Sequence, residues 1–382
     1  MSGAGLGSAV GPAAPAADDA GVAGPPAAPH GTEDYAVVIG IWAYPRLKDA
    51  SLEGPVQDVS DFVHWLTAPE GGNVPDNPAR IIKILTAEGP VEPRPASEEI
   101  EGAFRRLRQL STDRRDAGKG PRLGRRLYVY FAGHGCMLND ETALLTARAE
   151  DEDPDHVAAR LFGRHFIRAG VFDQIVLFKD CCRRPVFKVT LREPTYAALP
   201  AQPGEDARTF MGFAAQPRKV AREYPIGGKV RGAFTTALLA GLRGGRREAD
   251  GSITTNSLAD YVYNVLGVDP DGQPVPPNDR PQFKHVSQQP FVLVPAPPAA
   301  SPPRVAVVKV TFRARAGDKE IRVIGGAAGK LEPVVVPLTE TNEETRGAAA
   351  FAPGFYVASL GAPREYGFSV TGIGDPDVDV RG

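Results

Sequence analysis

The stretch LYVYFAGHG at residues 127–135 is an unbroken apolar run that ends in a histidine between two glycines. A run this rich in aromatic and β-branched residues is typical of a strand buried on both faces of a parallel sheet. A second run of this kind, IVLFKDCC at residues 175–182, ends in two adjacent cysteines. Because polar groups collect where parallel strands end, we expect His134 and the cysteine pair to meet if the two strands are neighbours.

The sequence around these two runs alternates short apolar segments with amphipathic segments from residue 34 to residue 295. Short β-branched or aromatic runs indicate strands, and apolar residues three or four apart indicate helices. The predicted strands are residues 35–41, 81–85, 127–131, 175–178, 210–215 and 290–294, and the predicted helices are residues 56–66, 97–110, 232–242 and 258–266. This alternation predicts an α/β fold with a mostly parallel sheet flanked by helices.

Three other segments suggest how the chain is divided. Residues 1–33 are dominated by Ala, Gly and Pro, which cannot bury enough apolar surface to order, so they are predicted to be a disordered leader. Residues 183–209 are rich in proline and basic residues and are predicted to form a long loop. Residues 296–303 resemble a semi-rigid proline-rich linker, and residues 304–382 alternate like the strands of a small all-β, sandwich-like domain.

The composition excludes several classes of protein. The 382 residues carry 44 Lys and Arg against 46 Asp and Glu, and a net charge of −2 gives no reason to expect a nucleic-acid or membrane partner. No run is long enough and apolar enough to span a bilayer, and no secretory signal is recognisable. Three cysteines do not make a disulfide framework, so the protein is predicted to be cytoplasmic with free thiols.

A cysteine–histidine dyad is the chemistry that these two strand ends favour. A thiolate is a strong nucleophile, and a nearby imidazole increases the thiolate fraction at neutral pH. His134 and one of the two adjacent cysteines are therefore the predicted catalytic pair, and the amides of Gly135 and Cys182 are the predicted oxyanion donors. Taken singly, a loop histidine or a cysteine after a strand is more often structural, and only their combination favours catalysis.

Several further segments carry a family resemblance. They are YAVVIGIWAYP (35–45), LEGPVQDV (52–59), the two runs quoted above, FAA (213–215), residues 221–223, GAFTTALLAGLRG (232–244) and ITTNSLADYV (253–262). In this order they resemble the caspase-like cysteine peptidases, especially the prokaryotic caspase homologues and the metacaspases, over residues 34–295.

The resemblance implies a caspase-like fold, protein substrates and a dyad of His134 and Cys182. In such proteins the residue at the position of Cys181 is not the nucleophile that attacks the substrate. Where metacaspases continue with a histidine or a small residue and then Ser-Gly, this chain has Arg183, Arg184 and Pro185. That departure keeps Cys181 open as an alternative nucleophile.

The resemblance also bears on the specificity pocket. Aspartate-specific caspases carry a glutamine two residues before the nucleophile, and this chain has Asp180 there. Asp58 matches the other pocket aspartate of metacaspases, although it could equally be an early-helix charge that the helix dipole favours. Two carboxylates in one desolvated pocket select a cation, and their fit to a planar guanidinium predicts cleavage after Arg in preference to Lys.

The basic loop is a predicted processing segment of a zymogen, cut by the protein itself or by an upstream activating protease. An ordinary solvated loop is the alternative interpretation. The candidate cleavage residues are Arg183, Arg184, Lys188, Arg192, Arg208 and Arg218.

No metal or cofactor is assigned from the sequence. The acidic run at residues 150–153 with Asp155 is a weak calcium candidate, because it lacks the spacing of an EF-hand loop.

The predicted function is that of a cysteine endopeptidase, which the resemblance extends to bacterial antiviral defence or regulated-death signalling. The alternative is a catalytically weak or inactive caspase-like interaction module whose β-rich domain recruits partners.

Overall fold

The structure, a computed structural model, describes most of residues 30–297 and the strands of the C-terminal region. The described residues are 30–48, 50–87, 92–138, 141–185, 190–191, 207–226, 229–267, 269, 273–286, 289–297, 308–325, 334–340, 345–351, 354–360, 365–370 and 377–380. Most of the predicted leader, of the loop at 183–209 and of the linker at 296–303 therefore lies outside the described residues.

The first half of the described chain alternates strands and helices. Its elements are β1 (Tyr35–Gly40), α1 (Gly54–Thr67), β2 (Ile81–Leu85), α2 (Ser97–Asp116), β3 (Gly124–Ala132), β4 (Gly135–Leu138), β5 (Glu141–Leu145), β6 (His156–Val157), α3 (Ala159–Arg168), β7 (Phe172–Asp180) and β8 (Arg184–Pro185).

The next part adds β9 (Arg208–Phe213), β10 (Glu223–Ile226), β11 (Lys229–Gly232), α4 (Ala233–Ala240), β12 (Ile253–Thr254), α5 (Thr255–Val265), β13 (Gln282–His285) and β14 (Val292–Val294). A π-helical turn at Gly241–Gly245 extends α4, and a short 3₁₀ turn at Pro277–Asp279 precedes β13.

Six strands form one mixed sheet in the order β13-β9-β7-β3-β1-β2. The pairs from β2 to β9 are parallel, and only the edge pair of β13 with β9 is antiparallel. The predicted mostly parallel sheet is confirmed. Strands β3 and β7 are direct neighbours, which was the condition for bringing their carboxyl ends together.

Helices cover both faces of this sheet, because alternate residues of each buried strand point to opposite sides. Ala36 and Val38 of β1 join a core with α1, α4 and α5, whereas Val37 and Ile39 join a second core with α2 and α3. Burying each such aliphatic side chain stabilises the fold by roughly 1.5–3 kcal/mol. This double burial explains why the central strands are continuous apolar runs.

The structure contains a helix that is longer than the sequence pattern predicts, and also a helix and strands that the pattern does not predict. Helix α2 continues beyond the predicted residue 110 to Asp116. Helix α3, the hairpin β10–β11 and a small sheet in the order β6-β5-β4-β8 were not predicted.

The C-terminal region is all-β among its described residues, as predicted. Its strands are β15 (Val308–Ala314), β16 (Glu320–Gly325), β17 (Val334–Pro337), β18 (Thr339–Glu340), β19 (Thr345–Phe351), β20 (Gly354–Ser359), β21 (Glu365–Val370) and β22 (Asp377–Asp379). They form two four-stranded sheets, β18-β19-β15-β22 and β17-β16-β20-β21, around a core of their own that includes Phe312, Val323 and Phe368.

Candidate active site

The ends of β3 and β7 form the floor of a cavity of about 620 Å³. Ala132 pairs with Asp180 across the two strands, and the backbone N–H of Gly133 donates to the carbonyl of Asp180 at 3.2 Å. His134 and Cys182 follow this last pair by two residues each, and both line the cavity. The register of the sheet thus brings the predicted pair into one site.

His134 is held from two sides. Its backbone N–H donates to the Tyr44 hydroxyl at 2.7 Å, and the two rings lie 4.6 Å apart. Its Nε2 lies 2.8 Å from the carbonyl oxygen of Ala50. A carbonyl only accepts, so Nε2 carries the hydrogen and, in the neutral ring, Nδ1 is the basic nitrogen.

Burial in the cavity favours the neutral forms of the imidazole and the thiol. Burial lowers the pKa of His134, and its bond to Ala50 opposes this only in part. Burial likewise raises the pKa of Cys182, against a hydrogen bond from the backbone of Ala221. Both shifts favour the uncharged forms of the two side chains.

The three cysteines differ in accessibility. Cys182 is partly exposed, whereas Cys181 and Cys136 are buried. Burial raises the pKa of the Cys181 thiol far above its usual range and that of Cys136 to about 11. The cavity is lined by Cys182 and Cys136 but not by Cys181, so Cys182 is the more accessible of the adjacent pair.

Gly135 packs directly against the cysteine pair. A Cβ at this position would lie 2.5 Å from the Cys181 sulfur and 2.9 Å from the carbonyl oxygen of Cys182. Only glycine fits this approach, which places its backbone beside that of Cys182. The assignment of these two amides as oxyanion donors stays a prediction.

An acidic pocket lies in the same cavity. Asp58 from α1 and Asp180 from β7 are both buried, and both converge on Gly232. The N–H of Gly232 donates to Asp58 Oδ2 at 3.0 Å, and a Cβ on Gly232 would lie 2.2 Å from Asp180 Oδ2. A larger residue at 232 would displace both carboxylates.

Burial is the main cause of the raised pKa values of Asp58 and Asp180. It raises the pKa of Asp180 to about 6, and it raises that of Asp58 well above its usual value, with the Asp180 charge adding to the effect. Two neighbouring carboxylates in a desolvated site resist full ionisation unless a cation joins them. The pocket is therefore built to gain from a positively charged occupant.

Sequence reasoning did not assign roles to three residues of this site. Glu223 at the start of β10 also lines the cavity, and burial raises its pKa. It belongs to the segment at 221–223 that carried part of the family resemblance, which was the available signal. Tyr44 stands in the quoted segment 35–45, whereas the Ala50 carbonyl is a backbone group that leaves no mark in a sequence.

The basic residues that follow Cys182 differ in exposure. Arg183 is buried, its guanidinium donates to the Ala215 carbonyl and to Gln282, and it lies over the Phe213 ring at 4.3 Å. Arg184 is exposed and lines the cavity.

Two further candidate processing residues lie in the described part. Arg218 is exposed, and Arg208 is half-buried at the start of β9. Lys188 and Arg192 lie outside the described residues.

The calcium candidate finds no support in the described part of the chain, where no three His, Cys, Asp or Glu side chains are grouped so as to hold a metal ion. Glu150 of that acidic run pairs with Arg46 at 2.8 Å instead. None of the described helices is long and apolar enough to cross a membrane.

Comparisons with known proteins add to this geometry. A family model described as the caspase domain matches residues 33–265. A curated protein from a Desulfuromonadales bacterium, named a probable protease, is 30% identical over 232 residues, which cover 56% of this chain and 26% of that protein. The chain thus spans about a quarter of the length of this relative.

Among solved structures, caspase-1 from Spodoptera frugiperda aligns at 14% identity and a TM-score of 0.44, over 70% of this chain and 96% of the caspase-1 chain. The region matched by the family model includes Asp58, His134, Asp180 and Cys182.

Proposed function

The chain belongs to the caspase-domain family of peptidases, since that family's model matches residues 33–265, and we propose that it is a cysteine endopeptidase that cleaves proteins after arginine and, less readily, after lysine. The observation that carries this proposal is the joint position of a His134–Cys182 pair and of two buried carboxylates in one cavity. The pair supplies the chemistry, and the carboxylates select the residue that is cut.

The reaction is an acyl transfer. The Cys182 sulfur attacks the peptide carbonyl while its proton passes to His134 Nδ1, and the backbone amides of Gly135 and Cys182 stabilise the negative oxygen that forms. His134 then protonates the departing amine, the C–N bond breaks and a thioester remains. Water attacks the thioester with His134 as the base, which releases the acid and restores the thiol.

The specificity follows from charge and shape. A guanidinium offers parallel N–H donors that match carboxylates, and its charge compensates the cost of ionising Asp58 and Asp180 together. Glu223 adds a third carboxylate to the same cavity. A lysine ammonium carries the charge without the planar fork, so it is the weaker fit.

Reporter peptides that differ only in their last residue test this proposal. We expect kcat/KM to be highest for Arg, roughly tenfold lower for Lys because the bidentate contact is lost, and near background for Asp, which the carboxylates repel. Release of a fluorescent amine from matched Arg, Lys and Asp peptides gives the three values. Faster turnover of the Asp peptide would overturn the assignment of the pocket.

We also propose that the chain is a zymogen cut in the basic loop at 183–209 or just after it. Arg184 and Arg218 are the exposed candidates, while the buried guanidinium of Arg183 makes that bond a poor substrate. The cut would be made by the protein itself or by an upstream protease. If the protein cuts itself, the expected result is a two-fragment wild type and an intact Cys182→Ala chain when both are purified alone and their masses measured. If an upstream protease makes the cut, both chains stay intact when purified alone. A wild type that stays intact while fully active would exclude activation by processing.

A role in bacterial antiviral defence or regulated-death signalling extends the proposal on the strength of the family resemblance. The identity of the proteins that this peptidase cleaves would test this proposed role. New termini in a proteome digested by the wild type, but not by Cys182→Ala, identify those substrates.

A further inference from the structure

Asp180 is held by the first turn of the helix that follows the pocket. Its Oδ2 accepts hydrogen bonds from both the backbone N–H of Thr235, at 3.1 Å, and the Thr235 hydroxyl, at 2.7 Å. Thr235 belongs to α4 and is almost fully buried. The same helix start supplies the N–H of Gly232 to Asp58. The two acids of the pocket are thus held differently, and only Asp180 receives a side-chain hydroxyl among the bonds described.

The chain of hydrogen bonds continues from Thr235 to one further residue in the core, Tyr130. A threonine hydroxyl has a single hydrogen, and that of Thr235 is donated to Asp180. The Tyr130 hydroxyl lies 2.7 Å from Thr235 Oγ1, so Tyr130 must be the donor in that contact. Burial raises the pKa of Tyr130 well above its usual value, which keeps its proton in place. The result is a directed chain from Tyr130 to Thr235 to Asp180.

We propose that Thr235 is a positioning residue of the specificity pocket, which, with Tyr130 behind it, orients Asp180 and holds it ionised to receive the cationic side chain of the substrate. This inference rests on the proposed function and deepens it. Thr235 does not touch the reacting atoms; it acts through Asp180.

The charges around the pair agree with this division of roles. Both Thr235 bonds lower the pKa of Asp180 against the effect of burial. Burial, then the Asp180 charge and Glu223 of β10, raise the pKa of Asp58, whereas the Gly232 N–H and Arg231 of β11 lower it. Asp61 of α1 pairs with Arg231 and so weakens that compensation. Asp180 therefore receives two hydrogen bonds from Thr235 that favour its ionised form, whereas Asp58 receives the N–H of Gly232.

Three variants separate this role from a merely structural one. Thr235→Val keeps the shape but removes the hydroxyl, and Thr235→Ser restores it. Thr236→Val is the matched control, because Thr236 is equally buried on the same helix turn and its hydroxyl donates to the Gly232 carbonyl rather than to an acid. Thr235→Val is expected to raise KM for an Arg reporter by about tenfold or more, the usual effect of losing a hydrogen bond to a charged group, with kcat within about twofold. Thr235→Ser and Thr236→Val are expected to stay within about twofold of the wild type in both constants.

The pH profile gives the second readout. The wild-type KM is expected to fall as pH rises through about 6, where Asp180 ionises. Without the Thr235 hydroxyl the carboxylate is harder to ionise, so the fall in KM shifts to higher pH in Thr235→Val. Damage to packing alone would lower kcat or thermal stability without moving this profile.

The positioning role of Thr235 can be tested separately from the proposed peptidase activity. If Thr235→Val matches Thr236→Val in KM and in pH profile, the positioning role is wrong while the peptidase stands. If the wild type cleaves no Arg reporter either intact or after cleavage of its basic loop, the proposed function is wrong, and calorimetric titration with acetyl-argininamide at pH 6 and pH 8 tests the pocket directly. Binding that Thr235→Val weakens by about tenfold supports the inference, whereas equal binding or no binding overturns it.

Discussion

Replacing Cys182 with alanine is expected to abolish both the hydrolysis of Arg reporters and covalent labelling by an arginyl chloromethyl ketone. Loss of the attacking group in a catalytic pair typically costs on the order of 10⁴-fold or more in kcat. The neighbouring Cys181 cannot take over, because its thiol is buried and its pKa lies far above the usual range. Intact-mass detection of the labelled protein and a fluorescence assay measure the two effects.

Cys181→Ala is the matched control for this change. Its sulfur packs beside Gly135 in the core, so its loss should lower thermal stability modestly and leave labelling at Cys182 in place. Labelling that survives in Cys182→Ala and disappears in Cys181→Ala would make Cys181 the nucleophile. A folded wild type that is never labelled would instead favour the interaction module that the sequence left open as the alternative.

The central strands of the fold could be predicted because they are buried on both faces. Strands such as β1, β3 and β7 are then continuous apolar runs, and such runs are visible in a single sequence. The elements that were not predicted are short or depend on distant partners. Strand β4 is four residues long and gains its pairing from β5 and β8, and α3 is stabilised by packing Phe162 and Phe166 on the sheet.

The side chains of the candidate site could be nominated for a similar reason. His134, Cys182 and Asp180 stand at the ends of readable strands, and the cavity unites them with Asp58. Thr235 could not be nominated, since the segment 232–244 looks like an ordinary apolar helix. Its contact with Asp180 exists only because the tertiary fold places the start of α4 against the end of β7. Groups that act through backbone atoms or through distant contacts leave no local pattern.

The charge of the pocket should produce the second large effect. Asp180→Asn is nearly isosteric, so it keeps the volume of the side chain and removes its negative charge. Leaving one partner of a buried, hydrogen-bonded charge pair unmatched costs about 2–5 kcal/mol, which corresponds to a fall of roughly 30- to 5,000-fold in kcat/KM for an Arg reporter. Parallel rates with the wild type and the variant measure it.

A reporter peptide that ends in citrulline distinguishes the effect of the pocket's charge on turnover from the effects of side-chain shape and of misfolding. Citrulline has nearly the shape of arginine but is neutral, so the wild type should cleave it far more slowly. In Asp180→Asn the ratio of Arg to citrulline turnover should fall, because Asp58 is then the one buried carboxylate of the pair left to meet the guanidinium, even though loss of the Asp180 charge makes Asp58 easier to ionise. A general loss of structure would lower the turnover of both reporters by the same factor and leave the ratio of Arg to citrulline turnover unchanged. An unchanged ratio in a well-folded variant would therefore move the arginine site away from Asp180, since no other property of this substitution distinguishes the two substrates.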